Sequence, residues 1–281
     1  MNISLFHEVS RQCSRMTTEK YSTSFASAIR LLHPELRQPV YDIYGFVRFA
    51  DEIVDTFHGH NKALLLNNFK TETFAAIRDG ISLNPILNSF QITINRYQVD
   101  HDLIRAFFRS MEMDLYYNTH NPDTYSEYIY GSAEVVGLMC LYVFCDGNKK
   151  QFESLQPAAR ALGAAFQKVN FLRDMKADYN CLSRMYFPGV DFSNFTPQMK
   201  NDIERDIAVD FEKAYSGILA LPWKARFGVY VAYKYYFSLF RRIKRTGVSR
   251  ILGSRIRIPD YQKALILARA GVKNQLNLIG Q

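Results

Sequence analysis

Residues 163–178 read GAAFQKVNFLRDMKAD, and this stretch decides the fold that the sequence predicts. Its apolar residues recur with the period of an α-helix, and Asp174 and Asp178 lie four residues apart on one face of that helix. Gln167 and Asn170 extend this face into a polar stripe. Such a stripe lies either on the outside of a protein or in the wall of a wet cavity. The two amides favour the cavity, because they can orient a ligand.

A second stretch, residues 41–55, has the same construction and reads YDIYGFVRFADEIVD. Asp51 and Asp55 again stand four residues apart, and Tyr44 and Arg48 belong to the same stripe. The other residues are mostly apolar, which leaves little room for a fully exposed helix. The two stretches therefore predict two helices whose carboxylate pairs can face each other across a bundle.

The aspartate pairs are open to two interpretations. Hard divalent cations such as Mg²⁺ are usually held by one or two carboxylates together with phosphate oxygens of a substrate, so the pairs point to a metal-diphosphate site. The alternative is ordinary surface charge, in which Arg48 and Arg173 form helix salt bridges with neighbouring carboxylates.

The rest of the chain also favours helices, and the predicted fold class is all-α. No segment alternates with a period of two for long, and no hairpin signal separates strand-like runs. The clearest long loop is residues 187–195. Helical apolar spacing occurs in residues 36–57, 101–117, 125–144, 152–179, 197–220 and 223–246.

Several helix starts carry capping signals. Thr196 and Asn84 each precede a proline, which suits the first turn of a helix. Asp123 or Thr124 is expected to cap a further helix, and Asp260 marks another junction.

Composition indicates a single domain spanning residues 1–281, because glycine and proline are sparse and no flexible linker interrupts the chain. The many aromatic residues suit an apolar core or a wide apolar cavity. The four cysteines show no C-x-x-C spacing and are expected to be free thiols of a cytosolic protein. His58 and His60 lack a third ligand at a suitable spacing, so no histidine metal site is expected.

The net charge of +8 fits three kinds of partner: nucleic acid, an anionic membrane surface or an anionic substrate. Residues 241–257 hold seven Lys or Arg and no acid, which is also compatible with a solvated basic face. No nucleic-acid-binding motif accompanies this segment, so nucleic acid is not expected. The N-terminus does not resemble a signal peptide, and the longest charge-free apolar run, residues 135–145, is too short to span a membrane. The protein is therefore expected to be either soluble in the cytoplasm or peripheral to the inner face of the cell membrane.

Residues 125–140, YSEYIYGSAEVVGLMC, place several small residues within a helix. Two explanations fit these residues equally well. They either allow close packing against another helix, or they make the helix thin enough for a long apolar ligand to pass. In the second interpretation Tyr128 and Tyr130 would place hydroxyl groups near the ligand. The small residues are Gly131, Ser132, Ala133 and Gly137.

Together these motifs resemble the squalene and phytoene synthase family, the head-to-head prenyl synthases, and within it the bacterial phytoene synthases. They occur in the family's order over most of the chain. The matching segments are YSTSFASAIRLL (21–32), YGFVRFADEIVD (44–55), MEMDL (111–115), YIYGSAEVVG (128–137), LGAAFQKVNFLRDMKAD (162–178), RMYFP (184–188) and RIRIP (255–259).

The resemblance implies an all-α isoprenoid-synthase bundle with a central active-site cavity. It also implies that two geranylgeranyl diphosphates condense head to head, through a cyclopropyl (prephytoene) diphosphate, to 15-cis-phytoene and two diphosphates, a step of carotenoid biosynthesis. The expected metal is Mg²⁺, with Mn²⁺ as a second candidate. No NADPH is expected, since no nicotinamide-binding fingerprint is present.

The family's functional residues map onto this sequence by position. The implied catalytic residues are Tyr128, Arg48, Asp51, Asp55, Asp174 and Asp178, of which the four aspartates would also bind Mg²⁺. The implied diphosphate-binding residues are Arg48, Arg173, Gln167, Asn170, Tyr236 and Arg255. The implied front segment near the active site is Tyr21, Ser22 and Phe25, and the implied cavity wall is Ser132, Ala133 and Gly137.

One departure from the family pattern is Glu134, which occupies a position where a small residue is expected. The nearest alternative function is a C30 head-to-head synthase that uses farnesyl diphosphate. More distant alternatives are a head-to-tail prenyltransferase, a terpene cyclase, or a non-catalytic helical scaffold. The expected partners are prenyl diphosphates, a membrane surface that receives the hydrocarbon product, and a desaturase that acts on that product.

Overall fold

A computed structural model of the chain describes residues 3–275, and within this range the protein is built from α-helices. An isolated bridge between Thr119 and Met185 is the one strand-like pairing among these residues, so the predicted all-α class is confirmed. The helices are α1 (Ile3–Tyr21), α2 (Thr23–Ile29), α3 (Pro34–Asp55), α4 (Lys62–Asp79), α5 (Pro85–Tyr97), α6 (His101–Tyr116), α7 (Pro122–Ile129), α8 (Val135–Cys145), α9 (Lys149–Leu182), α10 (Pro197–Ala220), α11 (Trp223–Lys244), α12 (Val248–Ile251) and α13 (Asp260–Gln275).

Most of the predicted helix boundaries agree with the structure. The side chain of Thr196 accepts a hydrogen bond from the backbone N–H of Met199, and Asn84 caps α5 in the same way. The cap expected at Asp123 or Thr124 was wrong. Asn121 caps α7, and its backbone N–H donates to the Thr124 hydroxyl in a reciprocal capping box, so the helix begins earlier than predicted.

Helix α1 escaped the periodicity analysis because the residues it buries are hydroxylated. Ser10, Ser14 and Thr18 are fully buried against α3 and α5, where apolar residues would usually lie. Ser14 shares a hydrogen bond with Ser89 of α5, and a methyl group at Gly45 of α3 would collide with Ser14. Small hydroxylated side chains thus allow close helix packing without producing a hydrophobic pattern.

Two clusters of buried apolar side chains hold the bundle together. In the first, which draws mainly on α3 to α6 and α8, the ring of Phe46 stacks on Phe90 at 3.9 Å between centroids. In the second, which draws mainly on α9 to α11, Phe211 packs against Phe240 at 5.4 Å. The functional cavity lies between the clusters and takes lining residues from both.

The continuous helix Pro122–Cys145 joins α7 and α8 through a π-helical turn at Tyr130–Glu134. By length and composition alone this helix could cross a membrane. The sequence prediction considered only the shorter run at 135–145 and therefore missed it. Its most apolar window is 56% buried, and the helix packs against α3, α6 and α9. We therefore interpret it as a core helix of the bundle, whose apolar character serves internal packing.

Candidate active site

A large cavity of about 1060 Å³ opens between the helices, slightly above the usual size range of ligand sites. The structure brings to its wall every site residue that the family resemblance implied. These residues are Tyr21, Ser22, Phe25, Arg48, Asp51, Asp55, Tyr128, Ser132, Ala133, Gly137, Gln167, Asn170, Arg173, Asp174, Asp178, Tyr236 and Arg255.

Helix α3 supplies the first carboxylate pair. Burial, followed by the negative charges of Asp55 and Asp114, raises the pKa of Asp51 to about 8. Arg48, one turn earlier, lies 3.8 Å from Asp51 and also pairs with Glu52. Carboxyl groups that raise one another's pKa repel each other when they are ionised. A cation bound between them would relieve this repulsion.

Helix α9 supplies the second pair. The Nε of Arg173 donates to Asp174 at 3.0 Å, and the Nε of Arg255 reaches the same carboxylate from the C-terminal segment at 2.7 Å. Burial, with the charges of Asp174 and Asp55, raises the pKa of Asp178 to about 7. Asp55 lies on α3 and Asp178 on α9, and both line the same cavity, so the two pairs face each other across it.

The aspartate pairs line the cavity, and the arginines also form the helix ion pairs that the surface-charge interpretation predicted. The guanidinium of Arg48 lies over the ring of Tyr21 at 4.4 Å, which fixes it at the cavity wall. Burial by itself would lower the pKa of Arg173. The hydrogen bond and charge of Asp174, with a smaller contribution from Tyr236, outweigh this effect, so the pKa is raised overall. Tyr236 in turn stacks on Phe166 at 3.8 Å. These cations therefore belong to an organised polar end of the cavity.

The sequence analysis missed a buried network that begins at Asp55 of the first pair. Arg184 donates to Asp55 at 2.6 Å and to the backbone carbonyl of Asp114 at 2.9 Å. The hydroxyls of Tyr128 and Tyr186 both donate to the Asp114 carboxylate, at 2.7 Å and 3.5 Å. The signal was present in MEMDL and RMYFP, which were recognised as segments without a role for these side chains.

Tyr128 lies in an aromatic cluster directly beside this network. Its ring centroid is 5.2 Å from that of Tyr186, 6.0 Å from Phe171 and 5.0 Å from His120. Burial, followed by the charge of Asp114, raises the pKa of Tyr128 well above the usual range. The hydroxyl therefore keeps its proton, and the ring faces can stabilise a nearby cation.

The small residues of the Pro122–Cys145 helix lie both at a close helix contact and in the cavity wall. A methyl group at Gly131 would approach the carbonyl oxygen of Ala106 to 2.5 Å, so this glycine permits close packing on α6. Ser132, Ala133 and Gly137 line the cavity.

Two neighbours of this segment point away from the cavity. Tyr130 was expected to approach the ligand, but it lies under the guanidinium of Arg160 and outside the cavity wall. Glu134, the departure from the family pattern, pairs with the same Arg160 at 2.5 Å. It therefore leaves the wall of the cavity intact.

Beyond the polar end, the cavity continues as an apolar space. Methyl, methylene and aromatic groups form most of this part, and they would exclude water from a long hydrocarbon chain. Its lining includes Leu32, Val40, Val136, Cys140, Leu141, Phe144, Leu155, Ala158, Ile218, Leu221 and Leu239.

The donor set fits a divalent cation that is shared with a substrate. Within residues 3–275, no three His, Cys, Asp or Glu side chains converge closely enough to hold a metal by themselves. Magnesium sites of this kind are completed by phosphate oxygens and water. The buried Oδ1 of Asn170 has no hydrogen-bond partner, and it lies on the same stripe as Asp174 and Asp178. Such a cation would use the unpaired oxygen as a ligand and would relieve the repulsion between the carboxylates.

A helical bundle with facing aspartate pairs at the mouth of an apolar cavity defines a prenyl-diphosphate type of site. The squalene/phytoene synthase family matches residues 18–262, and the chain belongs to this family. Its members are prenyltransferases that act on prenyl diphosphates and typically use a divalent metal.

Phytoene synthases are among the relatives of this chain. It is 26% identical to phytoene synthase of Arthrospira platensis over 94% of this chain and 93% of that protein. It is 30% identical to the chloroplastic phytoene synthase 2 of Solanum lycopersicum over 66% of this chain and 61% of that protein. The chain thus spans about three fifths of the length of that plant relative.

Solved structures show the same fold. A dehydrosqualene synthase crystallised with a ligand superimposes with a TM-score of 0.79 at 17% identity, covering 96% of this chain and 98% of that one. The squalene synthase HpnC from Alicyclobacillus acidocaldarius gives 0.73 at 18% identity, covering 87% and 96%. The isoprenoid-synthase fold expected from the sequence is therefore confirmed.

Proposed function

We propose that this protein is a 15-cis-phytoene synthase that condenses two geranylgeranyl diphosphates head to head. The first step forms a cyclopropyl diphosphate and releases one diphosphate and one proton. The second step ionises that intermediate and releases the other diphosphate and a second proton. Neither step needs a reductant, which agrees with the expectation that no NADPH is used. One observation carries the proposal. The aspartate pair of α3 and the aspartate pair of α9 lie at one end of a long apolar cavity.

The polar end would bind and stabilise the diphosphate groups. Arg48, Arg173 and Arg255 supply positive charge where negative charge develops on the leaving diphosphate. Gln167 and Asn170 line the same region and can orient phosphate oxygens or bound water.

Asp51, Asp55, Asp174 and Asp178 would hold Mg²⁺, with Mn²⁺ as a second candidate. The bound cation would neutralise the diphosphate and favour its departure. The repulsion that raises the pKa of Asp51 and Asp178 supports this assignment.

The aromatic part of the wall would protect the allylic cation. Tyr128, Phe171 and Tyr186 line the cavity as a packed aromatic cluster, and the apolar wall beyond them would exclude water. The front residues Tyr21 and Phe25 would cover the reacting ends of the substrates, since both line the cavity near Arg48.

We further propose that residues 1–281 act as one domain in the cytoplasm and touch the inner face of the cell membrane. The two apolar clusters share one cavity, which supports a single unit, although residues 1–2 and 276–281 lie outside the described part. The product is a long hydrocarbon, so it must pass into lipid, from which a desaturase would take it.

Product analysis by mass spectrometry tests the reaction. Purified protein with Mg²⁺ and geranylgeranyl diphosphate should give phytoene, and a chelator should abolish the product until metal is restored. If farnesyl diphosphate alone is converted, the enzyme is the C30 synthase. If neither substrate turns over, the chain is a non-catalytic scaffold of this fold. Asp51→Ala and Asp174→Ala should each abolish product while the helical circular dichroism persists.

A further inference from the structure

Helix α13 carries apolar residues on two opposite faces. Ile266, Leu267 and Ala270 face α11 and are half-buried or buried in the second cluster. Opposite them, Tyr261 and Val272 remain 71% and 57% exposed. We call the solvent-facing set the α13 stripe. Its members are Tyr261, Leu265, Ala268 and Val272, at helical spacings of four, three and four.

The surroundings of the α13 stripe are strongly basic. Residues 241–275 contain ten Lys or Arg and one acid, Asp260, so their net charge is +9, while the whole chain carries +8. The remainder of the chain is therefore close to neutral. The basic residue positions are 241, 242, 244, 245, 250, 255, 257, 263, 269 and 273.

Several of these cations are not engaged by the diphosphate site. Arg250, Arg269 and Lys273 are exposed and do not line the cavity. No acidic side chain in the described part of the chain lies within ion-pair distance of them. Their charge is thus available to an external anionic partner.

The same segment forms the mouth of the cavity. Arg255, Arg257 and Asp260 line the cavity and are also exposed to solvent, and α13 begins at Asp260. A partner that covered the α13 stripe would therefore lie against the opening through which substrate and product pass.

We propose that the α13 stripe and its basic surroundings dock this protein on an anionic lipid bilayer, with the cavity mouth facing the membrane. The proposal deepens the proposed function and rests on it, because a hydrocarbon product needs a direct path into lipid. A helix that lies in the membrane interface combines an apolar face with flanking cations, and each cation near the surface strengthens binding.

A second exposed apolar stripe, on α1, provides a matched control. Leu5, Val9 and Met16 are exposed at similar fractions, but Glu8 and Glu19 interrupt the positive charge around them. The α1 stripe therefore has the apolar area without the charge complementarity to anionic lipid.

Vesicle co-sedimentation tests the apolar contribution. Wild-type protein should sediment with phosphatidylcholine vesicles that contain phosphatidylglycerol, and only weakly with phosphatidylcholine alone. Leu265→Ser/Val272→Ser should lower the partition coefficient by about tenfold or more, since two buried apolar side chains are lost. Val9→Ser/Met16→Ser should leave it unchanged. Equal losses in both double variants would overturn the proposal.

A second pair of variants tests the charge. Arg269→Gln/Lys273→Gln should weaken binding by about tenfold at low salt and much less at high salt. Lys149→Gln/Lys150→Gln removes the same charge from the exposed start of α9 and should have no effect. Absence of wild-type sedimentation at low salt, or equal losses in both variants, would contradict membrane docking by this face.

Two further measurements separate this proposal from its competitors. Each α13 variant should retain wild-type turnover in detergent, whereas an inactive wild-type protein that still binds vesicles would contradict the proposed function alone. Size-exclusion chromatography with light scattering should give the same mass for wild type and Leu265→Ser/Val272→Ser. A wild-type dimer that the variant abolishes would assign the stripe to a second copy of the chain and overturn the membrane assignment.

Discussion

The hydroxyl of Tyr128 donates a 2.7 Å hydrogen bond to the carboxylate of Asp114, and both groups are buried at the wall of the cavity. Asp114 also lies 3.4 Å from Arg184, which donates to Asp55 of the first aspartate pair. The proposed cation-stabilising tyrosine and the proposed metal ligands are thus connected through two side chains. This connection means that the orientation of Tyr128 depends on the polar end of the cavity.

Replacing Tyr128 with phenylalanine should lower kcat while KM changes little. The ring remains, but the hydrogen bond to Asp114 is lost and a buried carboxylate loses a donor, which costs about 1–3 kcal/mol. We expect kcat to fall by roughly tenfold to a hundredfold. Steady-state kinetics check this, with Tyr130→Phe as the control because Tyr130 lies outside the cavity. A purely structural role would lower thermal stability without this separation of kcat from KM.

Replacing Asp51 with asparagine should abolish activity without destabilising the fold. Asp51 is one of several mutually repelling carboxyl groups, so a neutral amide relieves repulsion in the free protein. We expect turnover to fall by about a thousandfold or more, since metal-assisted charge stabilisation contributes several kcal/mol. Thermal unfolding should show a Tm equal to or above that of the wild type. Exposed Asp102→Asn is the control, and a lower Tm for Asp51→Asn would contradict the assignment.

Replacing Arg184 with lysine should impair both stability and activity. Its guanidinium reaches Asp55, the Val54 carbonyl and the Asp114 carbonyl at once, whereas a lysine ammonium cannot span all three. We expect a loss of about 1–3 kcal/mol in the free energy of unfolding, measured by urea titration. Arg105→Lys, at an exposed ion pair, should change it by less than about 0.5 kcal/mol. Wild-type stability in Arg184→Lys would contradict the network.

Asp42, which lies outside the cavity wall, should make the stability of the protein depend on pH. Burial raises its pKa to about 7, although hydrogen bonds from Gln38 and Thr93 and the charge of Arg11 oppose the shift. Between about pH 4 and pH 7 the folded state therefore binds a proton that the unfolded state has lost. Stability must fall as pH rises through this range, by at most about 1.4 kcal/mol per pH unit, and level off above it.

The variant Asp42→Asn removes this titrating group and should lose that part of the pH dependence. The difference in unfolding free energy between wild type and Asp42→Asn, measured at several pH values, isolates the contribution. Asp102→Asn should track the wild type throughout. A constant difference between wild type and Asp42→Asn across this range would contradict the raised pKa.

Two helical glycines should respond oppositely to alanine. A methyl group at Gly131 would meet the Ala106 carbonyl oxygen at 2.5 Å and the Ser110 side chain at 2.8 Å, so Gly131→Ala should destabilise the protein by about 1–3 kcal/mol. A methyl group at Gly271 of α13 would meet no heavy atom within 4 Å other than its chain neighbours and the backbone of its own helix, so Gly271→Ala should stabilise the protein by up to about 1 kcal/mol. Thermal unfolding measures both, and a neutral Gly131→Ala would contradict close packing of α6.

Sequence patterns predicted some parts of the fold better than others. Helix α9 was recognised because apolar residues recur at helical spacing on either side of its polar stripe. Helix α1 was not, because it packs through buried serine and threonine, which carry no hydrophobic signal. The predicted start of α7 was too late in the chain. Thr124 does take part in the capping box, but it is the third residue of the helix and Asn121 is the cap.

Some residues of the candidate site could be predicted from the sequence, and others could not. Asp51, Asp174 and their neighbours follow from local spacing, because one helix turn fixes which side chains share a face. Asp114 and Arg184 have no such signal. They are 70 residues apart and meet only when α6 and the segment after α9 pack together.

By itself, the sequence determined that this protein is helical, that each aspartate pair points in one direction and that its motifs match one family. These properties depend on residues within one turn of helix or on segment order. The tertiary structure alone decided that the pairs face each other, that Arg184 joins Asp55 to Asp114, and that Glu134 and Tyr130 point away from the cavity. Those relationships depend on how helices pack, and packing is set by contacts between residues far apart in the chain.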